Sequence, residues 1–275
     1  MSGILFVVAT PIGNLADASA RSLEVLRSAD LVACEDTRTT RTLLARYAIE
    51  TPTVALHQHN ERAASGKLLN LLKEGKNLAL VSDAGTPALS DPGALLVEAA
   101  HRAGIKVSPV PGPSAAAAAF SAAGFAADRY LFAGFLPAAR SARVKALAGL
   151  DIGCPLILYE APHRVLETVR DLAEHYGVER ELAIARELTK KFEEVARMKL
   201  GEAGAWLLAD PQRIQGEFVL VIAAGPARSA GELDAERTLE ALLAVMAPSE
   251  AARVAARITG QPRRLLYQKA LQRAK

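Results

Sequence analysis

Residues 82–93 read SDAGTPALSDPG, a composition suited to a wall that a ligand approaches closely. Asp83 and Asp91 bracket a run of small side chains. Gly85 and Gly93 relieve backbone restrictions, while Pro87 and Pro92 stiffen the path between them. Two carboxylates among small neighbours fit a ligand carrying hydroxyls, amino groups or positive charge, and suit a bare triphosphate poorly. No GxxxxGK[ST] phosphate loop occurs, and no GxGxxG follows the first apolar run, which disfavours nucleotide hydrolysis and nicotinamide chemistry. A simple turn explains one Pro-Gly pair but not twelve residues of this kind.

Polar clusters follow six other short apolar runs. TPIGN (residues 10–14) comes after the first run, then Glu35, Asp36, Thr37 and Arg38, then His57, Gln58, His59, Asn60 and Glu61. PGPS occupies residues 111–114. Tyr159, Glu160, Ala161, Pro162, His163 and Arg164 form the next cluster, and Arg186, Glu187, Leu188, Thr189, Lys190 and Lys191 the last. In open parallel sheets ligands bind beyond the carboxyl ends of the strands, so seven clusters at equivalent positions indicate a site. His57 and His59 could share a strand face, but no third Cys or His lies nearby. Hydrogen bonding is the better reading, with no metal expected.

The elements that must position these residues are legible as a rhythm. Nearly continuous apolar runs at residues 4–10, 30–34, 53–56, 77–82 and 106–110 alternate with helical stretches, the pattern of a parallel sheet covered on both faces. Pro111, Gly112 and Pro113 punctuate the chain, and Ser114 is placed to cap an alanine-rich helix. Strand candidates resume at residues 130–134, 155–160, 181–187, 194–200 and 218–225. The expected fold class is α/β, with α/β domains at residues 1–113 and 114–226 and a cleft between them. A loop with Pro226, Ser229 and Gly231 leads to a basic tail of three helical segments at residues 236–275.

No stretch approaches the roughly 20 apolar residues of a membrane span, and MSGILFVVAT reads as a first strand rather than a signal peptide. Cys34 and Cys154 lie far apart without a CxxC, which suits a reducing cytoplasm. The net charge of +3 is unevenly spread. Residues 248–275 carry Arg253, Arg257, Arg263, Arg264, Lys269, Arg273 and Lys275 against Glu250, a balance of +6 that leaves −3 for the rest. Charge alone weighs a polyanionic partner and a solvated helix face about equally.

The stretches VVATPIGNLAD, LVACEDTRTT, LHQHNE, LVSDAGTPALSDPG, VPGPSA, FAGFLP, LYEAPHRV and ARELTKKFEE run in order from residue 7 to 194. Together they resemble the tetrapyrrole methylase superfamily, and within it the branch that methylates a cytidine 2′-hydroxyl in the decoding region of small-subunit (16S) rRNA. The resemblance implies S-adenosylmethionine as cofactor and a cytoplasmic homodimer acting on rRNA within the small ribosomal subunit, with no membrane or DNA partner. Matching motif positions would place Pro11, Asp83, Gly85, Thr86, Leu89, Ser114, Ala115, Tyr159 and Ala185 on the cofactor. Relatives often carry an acid where Thr86 stands.

Methyl transfer from a sulfonium is an in-line displacement, so positioning the hydroxyl and removing its proton are the protein's tasks. Glu35, Asp36, Glu160 and Glu187 are the candidate bases or orienting groups. Arg38, His163, Arg164, Arg186 and Lys190 are candidates for holding the RNA. Arg253, Arg257, Arg263 and Arg264 join them, on C-terminal segments with helix-turn-helix character. A small-acceptor methyltransferase of the same fold and a non-catalytic RNA-binding assembly factor are the alternatives. The basic tail and the Glu35–Arg38 loop argue against the first, and the small residues of the cleft against the second.

Overall fold

The computed structural model describes residues 2–150, 153–225 and 230–273; Pro226, Ser229 and Lys275 of the sequence reading lie outside the described residues. The chain divides into two compact units. The larger comprises Met1–Ala148 with Pro155–Ala223, and the smaller Gly149–Cys154 with Ala224–Lys275. Among the described residues no helix is long and apolar enough to cross a membrane.

The apolar runs of the first half become β1 (Ile4–Val8), β2 (Leu31–Cys34), β3 (Thr53–Ala55), β4 (Leu78–Leu80) and β5 (Lys106–Val110). All pair in parallel, in the order β3-β2-β4-β1-β5. Between them run α1 (Ala20–Ser28), α2 (Thr37–Arg46), α3 (Glu61–Lys73) and α4 (Ala94–Arg102). Side-chain alternation splits the sheet into two apolar faces. Leu5, Leu78 and Leu80 pack with Leu68 and Leu72 of α3 and Leu96 of α4. Val8, Val32 and Ala79 pack with Leu26 of α1 and Leu44 of α2. Neighbouring β1 and β4 therefore send their following helices to opposite faces. The loops beyond their carboxyl ends diverge and leave a crevice there.

The second half contributes β6 (Leu131–Phe135), β7 (Leu156–Glu160), β8 (Glu181–Arg186), β9 (Glu194–Lys199) and β10 (Phe218–Ile222). With them come α5 (Ala115–Ala123), α6 (Arg140–Leu147), α7 (Val165–Tyr176) and α8 (Leu200–Leu208). Ser114 caps α5, and its hydroxyl accepts the Ala117 N–H. Ala116, Ala119 and Ala123 let that helix lie close against Ile157, Ala183 and Val221. The parallel-strand rule applied to this half needs correction. The order is β6-β7-β10-β8-β9, and only β6 and β7 are parallel neighbours. Because β10 runs antiparallel between β7 and β8, those two point the same way, and their ends still meet at one rim.

One ion-pair network in this half is buried. Arg143, fully enclosed, donates to Asp171 at 2.7 Å and to the Ala138 carbonyl, and Arg140 reaches the other Asp171 oxygen at 2.9 Å. The smaller unit contains α9 (Ala230–Leu243), α10 (Pro248–Thr259) and α11 (Arg263–Arg273) around Leu239, Ala251, Ala255 and Leu266. Helix α9 starts six residues before the expected Glu236, which puts Gly231 inside the helix rather than in a loop. In the first turn the backbone N–H groups lack intrahelical partners anyway, so a glycine is tolerated there.

Removing one partner of a buried pair strands the other charge. Asp171→Ala should therefore lower unfolding stability by about 3–5 kcal/mol, read from urea denaturation, with Arg143→Met/Asp171→Leu recovering much of the loss.

Candidate active site

Residues 82–93 fold back on the end of β1. Thr10 and Gly85 exchange backbone hydrogen bonds of 2.9 and 3.0 Å, an isolated antiparallel bridge beyond two parallel strands. The Thr10 hydroxyl reaches the Ser82 carbonyl at 3.2 Å, and the Thr86 hydroxyl donates to the Pro113 carbonyl at 3.2 Å. Gly85 sits at φ +80°, and a Cβ there would stand 3.4 Å from Ile12 Cγ2. Ala88 and Ser90 also hold positive φ values of 65° and 66°. Left-handed backbone at two non-glycine residues is a strained arrangement that such loops adopt at functional sites.

Under this loop lies a cavity of about 400 Å³, within the size range of small-molecule sites. Of the residues matched to a cofactor role, Gly85, Thr86, Leu89, Ser114, Ala115, Tyr159 and Ala185 line it. Pro11 is buried outside the lining. Asp83 is also outside it and accepts the Asp36 N–H at 3.0 Å. The opposite wall is a single register row across the second sheet. Phe135 pairs with Tyr159, Tyr159 with Val219, and Val219 with Ala185, so all four side chains point to one face. Phe135 and Val219 were not singled out in the sequence, because neither stands in a polar cluster. Among the described residues the lining includes Asp91, Glu160 and Glu217 but no lysine, arginine or histidine.

The candidate acids have very different surroundings. Asp36 caps α2: its carboxylate accepts the Arg38 N–H at 2.8 Å and the Arg38 guanidinium at 2.7 Å, which holds its pKa at about 2. Glu160 is 2% exposed and belongs to the alternate register row, Glu160–Phe218–Arg186, one residue out of phase with the wall. Its oxygens take the Ala161 N–H and the Thr168 hydroxyl, with Arg164 Nε 3.2 Å away. Glu187 accepts Lys190 Nζ at 2.8 Å and the Glu217 N–H at 3.0 Å. Burial would raise its pKa, but these donors bring it below the ordinary value. Glu35 alone of the four has no hydrogen bond to its carboxylate among the described residues. Burial pushes its pKa up, and the charges of Asp83 and Asp91 add to that. Asp91 is raised as well, first by burial and then by Asp83.

The candidate cations divide in the same way. Arg164 donates to the Leu136 and Pro137 carbonyls, and Arg186, almost fully buried, to those of Gln215 and Phe192. Lys190 bridges Glu187 and Glu217. These three brace loops. Arg38 and His163 are exposed. The histidines 57 and 59 stand 6.0 Å apart, and Glu61 caps α4 through the Gly93 and Leu95 N–H groups. In the smaller unit Arg253 pairs with Glu250. Arg257, Arg263 and Arg264 are exposed without a bonding partner among the described residues. Gly260, at φ +72°, ends α10 before α11 begins.

Two family models match the chain: Tetrapyrrole (Corrin/Porphyrin) Methylases over residues 5–204, and RsmI C-terminal HTH domain over residues 229–274. A protein of Pseudomonas aeruginosa named ribosomal RNA small subunit methyltransferase I is 48% identical over 99% of this chain and 98% of its own length. A protein of Xylella fastidiosa with the same name is 47% identical over 96% and 98%. Among solved structures, uroporphyrin-III-C-methyltransferase from Thermus thermophilus shares the fold, with a TM-score of 0.58 at 20% identity, covering 80% of this chain and 94% of that one.

The bridge at Gly85 requires a left-handed backbone, which costs an L side chain roughly 1–2 kcal/mol. Gly85→Ala should lower the unfolding free energy by about that amount in urea denaturation.

Proposed function

The chain belongs to the tetrapyrrole methylase family, in the branch of the small-subunit ribosomal RNA methyltransferase I proteins, and on that premise we propose that it methylates a cytidine ribose 2′-hydroxyl in the decoding region of 16S rRNA, using S-adenosylmethionine. The observation that carries this reading is the chemistry of the cavity: small residues, an apolar row with two aromatic rings, and carboxylates, without a basic side chain among the described residues. That lining fits a cationic donor and would leave a phosphate without a partner. Half-buried Asp91 has its pKa raised by burial against a Ser82 hydrogen bond, with no cation offsetting it among the described residues, and a bound positive charge would lower it.

When bound, the cofactor supplies a methyl group already activated on a sulfonium. The protein's share is to bind, orient and move a proton. Gly85 and Ser114–Ala115 leave backbone open for close approach, and the Tyr159–Val219–Ala185 row forms the apolar wall opposite. Pro11 and Asp83 act behind the wall, through the loops that they fix. Glu35, outside the lining but within electrostatic range of Asp91 in it, takes the proton from the ribose hydroxyl, since the carboxylates of Asp36, Glu160 and Glu187 are held by other bonds. Arg38 and His163, both exposed, meet phosphates of the RNA, and Arg253, Arg257, Arg263 and Arg264 add salt-sensitive affinity for it. The enzyme works in the cytoplasm as a homodimer on the small ribosomal subunit, without a DNA or membrane partner.

Incubation with methyl-labelled S-adenosylmethionine and small subunits, naked rRNA or a tetrapyrrole should place the label on one rRNA cytidine. Label on the tetrapyrrole, or on no acceptor, would overturn the reading. In that assay Glu35→Gln should lower kcat by about 10²–10⁴ while cofactor binding persists. The wild-type rate should fall as pH drops through the raised Glu35 pKa, above the ordinary 4.5, because protonation removes the base; Glu35→Gln should lose that limb. Combined Arg257→Ala, Arg263→Ala and Arg264→Ala substitutions should weaken RNA binding. The slope of log affinity against log salt should flatten by roughly 0.7–0.9 per lost contact.

A further inference from the structure

Two consecutive lysines follow β8, and their fates differ. Lys190 is spent inside the fold, on Glu187 and Glu217, and its stem lies where a Gly13 side chain would otherwise stand. Lys191 makes no hydrogen bond or ion pair among the described residues. Its ammonium lies 5.5 Å from the ring centre of Phe192, which is 53% exposed. The loop presenting this pair is fixed in place. Glu187 and Thr189 hold positive φ angles of 50° and 65°, the Glu193 carboxylate accepts the Thr189 N–H at 2.6 Å, and the Phe192 carbonyl accepts Arg186 Nη1 at 3.0 Å.

A single exposed phenylalanine is ordinary, and so is a lysine beside a ring. The combination differs from two other cation–ring pairs among the described residues. Arg197 over Phe125 is also bound to Glu181, and Arg213 over Trp206 to Glu194, so those charges are neutralised against partly buried rings. Lys191 keeps its charge, and Phe192 keeps about half of its surface exposed. Leu188 of the same loop lines the cavity, and four residues of chain reach at most about 14 Å. Phe192 therefore stands no farther than that from a residue of the cavity lining.

We propose that Phe192 and Lys191 form a platform on which a nucleobase of the acceptor RNA stacks, with the ammonium meeting the adjoining phosphate. The proposal rests on the RNA-methylation reading above. Sequence-specific RNA recognition draws on unstacked bases laid against aromatic side chains. A π-face beside an uncompensated cation offers stacking and charge together.

The test compares wild type, Phe192→Ala, Phe192→Leu, Phe192→Trp and Lys191→Gln in methyl transfer to small subunits and naked rRNA. Affinity for S-adenosylmethionine, thermal midpoint and oligomeric state are measured in parallel. Phe192→Ala and Phe192→Leu should each raise KM for the RNA acceptor by about 5- to 150-fold, the range for loss of one stacked base, and Phe192→Trp should restore it. Lys191→Gln should flatten the salt dependence by roughly 0.7–0.9 in log–log slope. Cofactor affinity, thermal midpoint and oligomeric state should stay at wild-type values. A Phe192→Leu variant with the wild-type KM overturns the platform alone, because bulk without a π-face would then suffice. A changed oligomeric state in Phe192→Ala overturns it in favour of a contact between copies of the chain. Wild-type protein that labels no RNA overturns the methylation reading itself, and the platform with it.

Discussion

The reciprocal hydrogen bonds between Thr10 and Gly85 are the constraint on which the site depends. Parallel strands β1 and β4 end side by side, and their helices leave for opposite faces, which opens a crevice. The bridge draws the loop after β4 across that opening and holds it against the end of β1. Only a residue without a side chain accepts φ +80° there at little cost, with Ile12 3.4 Å from where a Cβ would lie. The Thr86 bond to the Pro113 carbonyl then ties the same loop to the segment that enters α5. An acid in place of Thr86 would meet a carbonyl oxygen, whereas the threonine hydroxyl donates to it.

Opposite the loop, direction is set by strand register. Along β7 and β8 the side chains alternate, so Tyr159 and Ala185 face the cavity, while Glu160, at its edge, and Arg186 belong to the other row. Glu160 finds the Thr168 hydroxyl on α7, and Arg186 finds carbonyls that brace neighbouring loops. Charged residues beside a ligand pocket can thus be part of its frame. Burial without a partner is costly for such groups, which is why each of them is hydrogen-bonded. Glu35 differs: burial first, and then the charges of nearby acids, disfavour its charged form, and its carboxylate has no donor among the described residues.

Neighbours in the chain repeat this division. Glu35 and Asp36 adjoin, yet Asp36 caps a helix with a pKa near 2 while Glu35 is pushed the other way. Lys190 and Lys191 adjoin, yet one is bridged by two carboxylates and the other lies over an exposed ring. Residue type announced a charged cluster in each case. Which member stays available depended on what the fold brought alongside.

The sequence by itself determined the strands, since apolar runs bounded by Gly, Pro and polar clusters admit few other readings, and it determined that chemistry gathers at their ends. It also marked residues 82–93 as a close-approach wall, because glycine, proline and small side chains carry their conformational meaning locally. Only the tertiary structure decided that β10 enters antiparallel between β7 and β8, and so which side chains line the cavity. Phe135, Tyr159, Val219 and Ala185 form one row although long stretches of chain separate them. Register is a property of pairing between distant strands, and a shift of one residue would exchange the two faces. That is why the location of the site could be read along the chain, and the roles of its acids and cations could not.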